Sequence, residues 1–513
     1  MGGKYVKKKK FPVIPFLLAA ILVMALVVGA LFLLPKMTGS NETTPAETEG
    51  TAPQAEETTV PPTTQEPTVP PTEPDRAVAA TASFTVTGDL LMHKPVFQAC
   101  WDSAANNWVF DSIFTYVSPY LQEADYAVAN LETTLCGSGN GYAYSGMPLF
   151  NCPDGIAISS KNAGFDMLLT GNNHCYDTRM VGIRRTLKIL DEVGLASLGT
   201  QNTKDDIDYK VVDVNGIKVG MLAYAAESKD GMPGVISINA IQCHPDSFGM
   251  ISTFDYGQLE KFYNEVAGHM EAMKAEGAEA FVMYMHWGEE YQLEPTSLQK
   301  KMAQQLCDMG VDVIVGGHPH VIEPVDLLTA TENENQKTLV IYSTGNAVSN
   351  QRIAEMRMKS GHTEDGILFN FTLVKYIDGT VEVLEASCTP TWVNMIGYQK
   401  GYVILPLDYS RVDSWQEDYQ LDDSTYANCL ASYDRTMALV GEGLEKAQAW
   451  FDAQHEAKSA VLNDPNWKPE PVTEPTEVTE PAETTLPTEV PGETAGETLA
   501  ETQASTEPEG TEG

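Results

Sequence analysis

The stretch VDVIVGGHPHVIE, residues 311–323, combines a predicted strand with two histidines that follow it closely. Its first five residues are mostly β-branched and apolar, which is typical of a buried strand. Gly316 and Gly317 then let the backbone turn without a steric penalty. His318 and His320, on either side of Pro319, could therefore point into one cleft. Taken alone, this pair is equally consistent with a metal site and with an ordinary loop.

A short apolar strand, followed by Asp, Glu, Asn or His and then by a helix, recurs along the chain. Five strands of this kind are predicted, at residues 83–87, 125–129, 166–170, 280–285 and 311–315, and one more strand is predicted at 338–342. Helices are predicted at residues 111–122, 181–193, 256–276, 296–309 and 412–462. This alternation predicts an α/β fold, in which polar groups at the strand ends meet at one edge of a sheet.

Other segments depart from this alternation. The dipeptide Asn215-Gly216 predicts a hairpin between strands at 211–214 and 218–224. Residues 366–374 and 380–386 are predicted to be antiparallel strands that complete the core. Residues 228–253 are predicted to form an irregular insertion.

Six side chains at the predicted strand ends are candidate metal ligands: Asp89, Glu132, Asn173, His286, His318 and His320. This mixed set of oxygen and nitrogen donors suits Mn²⁺, Zn²⁺ or Fe²⁺ better than Mg²⁺ or Ca²⁺. The set is large enough for two divalent ions if one carboxylate bridges them. Alternative roles remain open, namely N-capping for the two acids and a turn for Asn173.

His174 is the candidate general acid or base, because it neighbours the predicted ligand Asn173. Asp177, three residues further on, could orient the His174 ring. Four more residues are candidates for metal or substrate contacts: His93, Asn130, Glu290 and Asn346.

The composition divides the chain into segments. Residues 16–34 carry no charge and would span roughly 28 Å as a helix, close to the thickness of a bilayer core. The lysines before this run would stay in the cytoplasm, which places the remainder outside the cell. The predicted segments are a cytoplasmic basic tail at 1–10, a transmembrane signal anchor at 11–35, a disordered Thr/Pro/Glu stalk at 36–80, a folded domain at 81–405, a C-terminal helical extension at 406–462 and a disordered acidic tail at 463–513.

Charge and cysteine content exclude some classes of protein. The formal net charge is −39, and residues 76–468 remain acidic without the flanking segments. This argues against nucleic acid as a partner. The 8 cysteines include no C-x-x-C pair, which excludes a zinc ribbon and leaves one or two disulfides open.

Six motifs occur in an order that resembles the bacterial capsule-synthesis CapA family, which includes the PgsA-type component of poly-γ-glutamate synthesis. They are Gly88-Asp89, Asn130-Leu131-Glu132, Asn172-Asn173-His174 with Asp177, His286-Trp287-Gly288 with Glu290-Tyr291, Gly317-His318-Pro319-His320 and Tyr342-Ser343-Thr344-Gly345-Asn346. The resemblance covers about residues 82–390. The chain is also similar to a branch of the calcineurin-like metallophosphoesterases. This implies a four-layer α/β/β/α sandwich with a dinuclear metal centre, metal roles for the six candidate ligands, and a catalytic His174.

The first motif departs from the metallophosphoesterase pattern. Metallophosphoesterases begin with Asp-x-His, whereas Asp89 is followed by Leu90-Leu91-Met92-His93. Either His93 reaches the metal by another path, or that ligand is absent.

Together with the predicted anchor, the resemblance implies a membrane-anchored extracellular protein of capsule or poly-γ-glutamate biosynthesis. It would be a metal-dependent hydrolase or transferase that uses a metal-activated water, with His174 as general acid or base. Its expected partners are an anionic extracellular polymer or its precursor, membrane synthase subunits, and the cytoplasmic membrane through residues 11–35. Two alternatives are a non-catalytic polymer-binding scaffold of a membrane synthase and a general surface phosphodiesterase.

Overall fold

A computed structural model describes residues 75–139, 141–228, 235–357 and 359–469. The predicted basic tail, the transmembrane anchor at 11–35 and most of the predicted stalk and acidic tail lie outside these ranges. Within them, no helix is both long enough and apolar enough to cross a bilayer. The anchor and its orientation therefore stay predictions.

The strands alternate with helices for much of the chain. The strands are β1 (Val78–Leu90), β2 (Trp101–Asp102), β3 (Asn107–Trp108), β4 (Tyr126–Asn130), β5 (Met167–Leu169), β6 (Ala196–Leu198), β7 (Tyr209–Val214), β8 (Ile217–Ala226), β9 (Ser237–Ile238), β10 (Ile241–Gln242), β11 (Thr253–Phe254), β12 (Ala280–His286), β13 (Val313–Gly317), β14 (Ile322–Thr329), β15 (Lys337–Thr344), β16 (Asn346–Val348), β17 (Asp365–Tyr376), β18 (Val381–Ile396) and β19 (Gly401–Pro406). The α-helices are α1 (Lys94–Ala99), α2 (Asp111–Phe114), α3 (Ser118–Glu123), α4 (Gly155–Ala163), α5 (Arg179–Val193), α6 (Leu259–Ala275), α7 (Ser297–Asp308), α8 (Ile353–Met356), α9 (Trp415–Asp418) and α10 (Asp423–Leu462).

Two large mixed sheets organise the domain. The first has the strand order β19-β18-β17-β1-β4-β5-β6, with β16 beside β1. Strands β1, β4, β5 and β6 are parallel, and β17 to β19 continue the sheet in antiparallel pairs. The second has the order β11-β8-β12-β13-β15-β14, with β7 paired antiparallel to β8.

The sheets pack against each other through one apolar cluster, and helices cover their outer faces. Phe84 of the first sheet and Val313 of the second both belong to the inter-sheet cluster. Side chains alternate along β13, so that Ile314 faces the other way, toward helices α6 and α7. A third cluster joins the outer face of the first sheet to α2, α3 and α4. The predicted α/β class is confirmed, and the elements form helix, sheet, sheet and helix layers.

Several local predictions differ from the structure. The helix predicted at 111–122 is divided into α2 and α3, and Pro119 stands in the first turn of α3, where its missing N–H costs no helical hydrogen bond. The insertion at 228–253 contains the β9–β10 hairpin, whose two-residue strands are too short to show a periodicity. Strand β1 begins at Val78, slightly before the predicted domain boundary at residue 81. All eight cysteines lie in the described ranges and are free thiols.

The C-terminal helix α10 packs on the domain core. Val440, Leu444, Ala447 and Phe451 join the inter-sheet cluster. The side chain of Asp422 caps the helix by accepting a hydrogen bond from the backbone N–H of Thr425 at 2.7 Å. Residues 423–462 of the predicted extension are thus integral to the core.

Candidate metal centre

The carboxyl ends of parallel strands in both sheets bring the predicted ligands to one place. Asp89 lies near the end of β1, and Glu132 follows β4. His286 is the last residue of β12. His318 and His320 follow β13, which pairs in parallel with β12. Because parallel strands end at a common edge, residues far apart in sequence meet in one cleft.

Glu132 is common to two groups of potential metal ligands. One group contains Asp89, Glu132 and His320, and the other contains Glu132, His286 and His318. In each group the ligand atoms lie within 4.8 Å of one another. The Oε1 atom of Glu132 is 3.8 Å from Nε2 of His286 and 3.7 Å from Nε2 of His320. This arrangement suits two ions that share one carboxylate.

Burial of these groups favours occupation by divalent cations. Asp89 and Glu132 are both 0% exposed. Glu132 Oε1 and His318 Nδ1 are buried, and neither has a hydrogen-bond partner in the described part of the chain. Unsatisfied buried polar atoms are costly, and coordination to a metal would satisfy both. Gly317 leaves room here, because a Cβ at this position would lie 3.3 Å from Asp89 Oδ1. The residues present therefore fit a divalent metal centre.

The ionisation of the cluster follows from burial and mutual charge. Burial and the nearby Asp89 raise the pKa of Glu132 well above its usual value. Burial lowers the pKa of His286 well below its usual value and that of His318 to about 4. Burial therefore favours the neutral imidazoles of His286 and His318, which is the form that binds metal ions.

Asp89 is held by two donors. Burial alone would raise its pKa, but the hydrogen bond and charge of His320, the charge of His286 and the hydrogen bond from Asn130 lower that pKa to about 2. His320 Nδ1 is 3.0 Å from Asp89 Oδ2. When Nδ1 carries the proton toward Asp89, Nε2 of His320 is free to act as a ligand on the Glu132 side.

Asn130 and Asn172 hold the carboxylates of Asp89 and Glu132 in place through hydrogen bonds. Asn130 Nδ2 donates to Asp89 Oδ1 at 2.7 Å and lies 3.5 Å from Glu132 Oε2. Asn172 Nδ2 in turn donates to Asn130 Oδ1 at 3.0 Å. Asn130, predicted as a metal or substrate contact, thus orients the ligands. The role of Asn172 was missed, although it lies within a recognised motif.

Asn173 and His174 point to neighbouring parts of the site. Asn173 Oδ1 is 3.0 Å from His286 Nε2, which brings this predicted ligand to the cluster. His174 Nδ1 is 2.8 Å from Asp177 Oδ2, as the spacing of the pair predicts. The Phe150 ring packs edge-on against His174, with the ring centroids 4.5 Å apart. Both His174 and Asp177 are buried.

The remaining candidates lie around the cluster and belong to neither ligand group. His93 Nδ1 is 3.2 Å from the carbonyl oxygen of Leu91 and 3.3 Å from the backbone nitrogen of Asn350. Glu290 is exposed at the rim. Asn346 Nδ2 donates to the backbone carbonyls of His320 and Thr363 at 3.2 and 3.0 Å, so this residue fixes the His320 backbone.

Asn239 also contacts the site, at His174 and Asp177, and was not predicted from the sequence. Its Nδ2 atom lies 3.3 Å from both Asp177 Oδ1 and His174 Nδ1. Asn239 belongs to the turn of the β9–β10 hairpin, in the insertion predicted to be irregular. No strand-end signal marks this residue, because its side chain reaches the site only through the folding of the insertion.

A family model and two curated relatives match this chain. The model of the bacterial capsule synthesis protein PGA_cap matches residues 83–351. The PGA biosynthesis protein CapA of Bacillus subtilis (strain 168) is 30% identical over 358 residues, which cover 66% of this chain and 81% of that protein. The capsule biosynthesis protein CapA of Bacillus anthracis is 29% identical over 278 residues. That match covers 52% of this chain and only 60% of the relative's length.

Some solved structures share a limited likeness with this chain. One is the calcineurin-like phosphoesterase YfkN from Bacillus subtilis, with a TM-score of 0.33, 16% identity, and coverage of 61% of this chain and 90% of that chain. Another is a putative 5'-nucleotidase from Staphylococcus aureus, with a TM-score of 0.34, 14% identity, and coverage of 62% and 55%.

The family assignment rests on the sequence matches, which agree with the six motifs. The matched range contains every predicted site residue, from Asp89 to Asn346. The predicted resemblance is confirmed: this chain belongs to the bacterial capsule synthesis protein PGA_cap family.

Proposed function

We propose that this protein is a membrane-anchored, extracellular, metal-dependent hydrolase or transferase of capsule or poly-γ-glutamate biosynthesis. The observation that carries the proposal is the pair of ligand groups sharing Glu132, with the His174–Asp177 pair nearby. Metal-dependent cleavage of a phosphoester or amide uses one or two bound cations and is assisted by a side chain that transfers a proton. The substrate would be an anionic extracellular polymer or its precursor.

The residues that would hold the metal are those of the two groups. Asp89, Glu132 and His320 would bind one ion, and Glu132, His286 and His318 the other. Bound Mn²⁺, Zn²⁺ or Fe²⁺ would supply Lewis-acid activation of water and of the substrate. Asn173 would contribute its amide oxygen beside His286.

His174 would handle the proton. Its Nδ1 atom faces Asp177, and a carboxylate accepts hydrogen bonds, so Nδ1 carries a proton in this contact. Nε2 is then the ring nitrogen available to take a proton or give one up. Asp177 holds the ring in this tautomer and stabilises it when it becomes charged.

The relatives support a role in capsule biosynthesis, and the composition supports a location at the membrane. The relatives named above are described as proteins of capsule and PGA biosynthesis. The apolar run at 16–34, with lysines before it, supports anchoring in the cytoplasmic membrane through residues 11–35. Membrane synthase subunits are the partners that such a location implies, and the acidic composition argues against nucleic acid.

One observation favours a non-catalytic scaffold as a second candidate. His93, the nearest histidine after the first motif, lies outside both ligand groups. A metal centre that lacks one ligand could keep its architecture without turning over substrate. The scaffold would bind the polymer within a membrane synthase.

The test uses the full-length protein in detergent. Metal content is measured by mass spectrometry, and hydrolysis is followed with bis(p-nitrophenyl) phosphate and with a γ-glutamyl peptide. His318→Ala and His320→Ala should each lose bound metal and activity. His244→Ala is the matched control, because its side chain is 60% exposed and belongs to neither ligand group.

The outcomes separate the hypotheses. Loss of metal, hydrolysis and polymer output together in His320→Ala supports the enzyme. Retained metal without turnover of either substrate, but with polymer lost in the variant strain, favours the scaffold. Phosphodiester turnover with unchanged polymer output favours a general surface phosphodiesterase. A wild-type protein that binds no metal would overturn the proposal.

A further inference from the structure

We propose that Asn239 is a positioning residue that fixes the orientation of His174 through Asp177. The proposal rests on the proposed function, because it concerns the residue assigned to proton transfer. It also gives the β9–β10 hairpin a role, namely to complete the His174–Asp177 pair from outside the sheet edge. The hydrogen bonds around Asp177 carry the argument.

The proton on His174 Nδ1 determines which atom accepts the hydrogen bond from Asn239. His174 Nδ1 carries a proton because it lies 2.8 Å from a carboxylate oxygen of Asp177. A protonated ring nitrogen accepts no hydrogen bond, so the Asn239 amide cannot donate to it although Nδ2 is 3.3 Å away. Asn239 Nδ2 therefore donates to Asp177 Oδ1, also at 3.3 Å. Nδ2 donates its second hydrogen to the carbonyl oxygen of Pro148, which lies 3.4 Å from Nδ2.

Asp177 is fixed on both of its oxygens. The backbone N–H of Phe150 donates to Oδ2 at 2.6 Å, on the same oxygen that faces His174. Asn239 donates to the other oxygen. Without Asn239, only one oxygen of the carboxylate would be held by hydrogen bonds from the described residues. The carboxylate could then rotate, and the His174 ring would lose its fixed direction.

The hairpin that carries Asn239 is anchored beside the catalytic pair. Ile238 is fully buried in a cluster with Cys175 and Tyr176, the residues that directly follow His174. The hydroxyl of Tyr176 accepts a hydrogen bond from the backbone of His244 at 3.0 Å. These contacts set the position of the turn relative to Asp177, so the placement of Asn239 is built into the fold.

The backbone at the turn provides matched variants. Asn239 and Ala240 have φ values of 50° and 56°, in the left-handed region. Glycine adopts this conformation without strain, so Asn239→Gly removes the amide and leaves the turn intact. Asn239→Asp also tolerates this region but replaces the donor with a second acceptor facing Asp177. Ala240→Gly, one residue along the same turn, is the control.

Steady-state kinetics with bis(p-nitrophenyl) phosphate and Mn²⁺ on the full-length protein test the proposal. We expect kcat to fall roughly 10- to 100-fold in Asn239→Gly and Asn239→Asp, the range for loss of a hydrogen bond to a charged group. KM and bound metal should stay unchanged, because Asn239 contacts neither ligand group. Ala240→Gly should match the wild type. A wild-type kcat in Asn239→Gly, or an equal loss in Ala240→Gly, would overturn the positioning role.

A second measurement separates this proposal from the proposed function. Diethyl pyrocarbonate labels exposed imidazole nitrogens, and mass spectrometry reports the labelling rate at His174 without any turnover. His174 should react faster in Asn239→Gly than in the wild type and in Ala240→Gly. If the wild type hydrolyses no substrate, the proposed function fails, and the labelling rate alone decides whether Asn239 positions His174. Equal rates in all three proteins would then refute it.

Discussion

Glu323, the last residue of the motif VDVIVGGHPHVIE, should make the stability of the fold depend on pH. Its side chain is 0% exposed. One oxygen accepts a hydrogen bond from Gln299 Nε2 at 2.7 Å, and the other has no partner among the described residues. Burial raises the pKa of Glu323 from 4.5 to about 8. The carboxyl is therefore neutral in the folded protein near neutral pH and ionised in the unfolded chain.

The sign and size of the effect follow from linkage. A raised pKa in the folded state means that the stabilisation is fully present below about 4.5 and is lost as pH rises through about 8. At about 1.4 kcal/mol for each pH unit, the wild type should lose roughly 4 kcal/mol between about pH 5 and about pH 9 from this group. Glu323→Gln keeps the shape and the acceptor for Gln299 but cannot ionise.

Denaturant titrations followed by tryptophan fluorescence, at several pH values, measure the difference between the two proteins. Relative to the wild type, Glu323→Gln should gain about 4 kcal/mol of unfolding free energy between the two pH limits. Glu294→Gln removes an exposed neighbouring charge and should keep the wild-type slope. Parallel curves for Glu323→Gln and the wild type would refute the assignment of a neutral, buried Glu323.

Further predictions concern the metal site and the packing around it. Asn130→Ala removes the donor to the two carboxylates and should weaken Mn²⁺ binding about 10- to 100-fold by calorimetry. Gly316→Ala places a Cβ 1.8 Å from a backbone oxygen of the adjacent strand and should lower the unfolding free energy by more than about 3 kcal/mol, whereas Gly139→Ala, with open space around it, should leave stability nearly unchanged. Arg435→Leu removes both guanidinium hydrogen bonds to the buried Asp365, which retains the hydrogen bond from Ser432, and should cost about 3–5 kcal/mol in the same denaturation assay. A stable Gly316→Ala variant, or unchanged Mn²⁺ affinity in Asn130→Ala, would contradict the corresponding contact.

The candidate metal ligands could be predicted because the ends of apolar strands can be recognised in a sequence. Asp89, Glu132 and His286 each follow an apolar run, and parallel strands must bring such residues to one sheet edge. The structure places these three together with His318 and His320. That Glu132, and not Asp89, is common to both groups could not be predicted. The choice depends on side-chain geometry between the sheets, for which the sequence carries no local signal.

Residues that orient the site were harder to predict than those that form it. Asn172 acts through Asn130, and Asn239 acts through Asp177, so neither has a signal of its own. Asn239 also lies in an insertion whose strands are too short for periodicity to be visible. His93 shows the opposite difficulty. It follows a predicted ligand closely in sequence, yet it belongs to neither ligand group, and its Nδ1 atom faces the backbone of Leu91 and Asn350.

The backbone of the two histidines bears on whether they are ligands or ordinary loop residues. His318 and His320 have φ values of 96° and 58°, in the region that favours glycine. Such conformations cost about 1–3 kcal/mol each and persist only when the surroundings enforce them. Here Asp89 holds the His320 ring, and Asn346 holds its carbonyl oxygen. An ordinary loop would relieve this strain with glycine or asparagine. Imidazoles at both positions, directed at the same carboxylate, Glu132, favour metal binding.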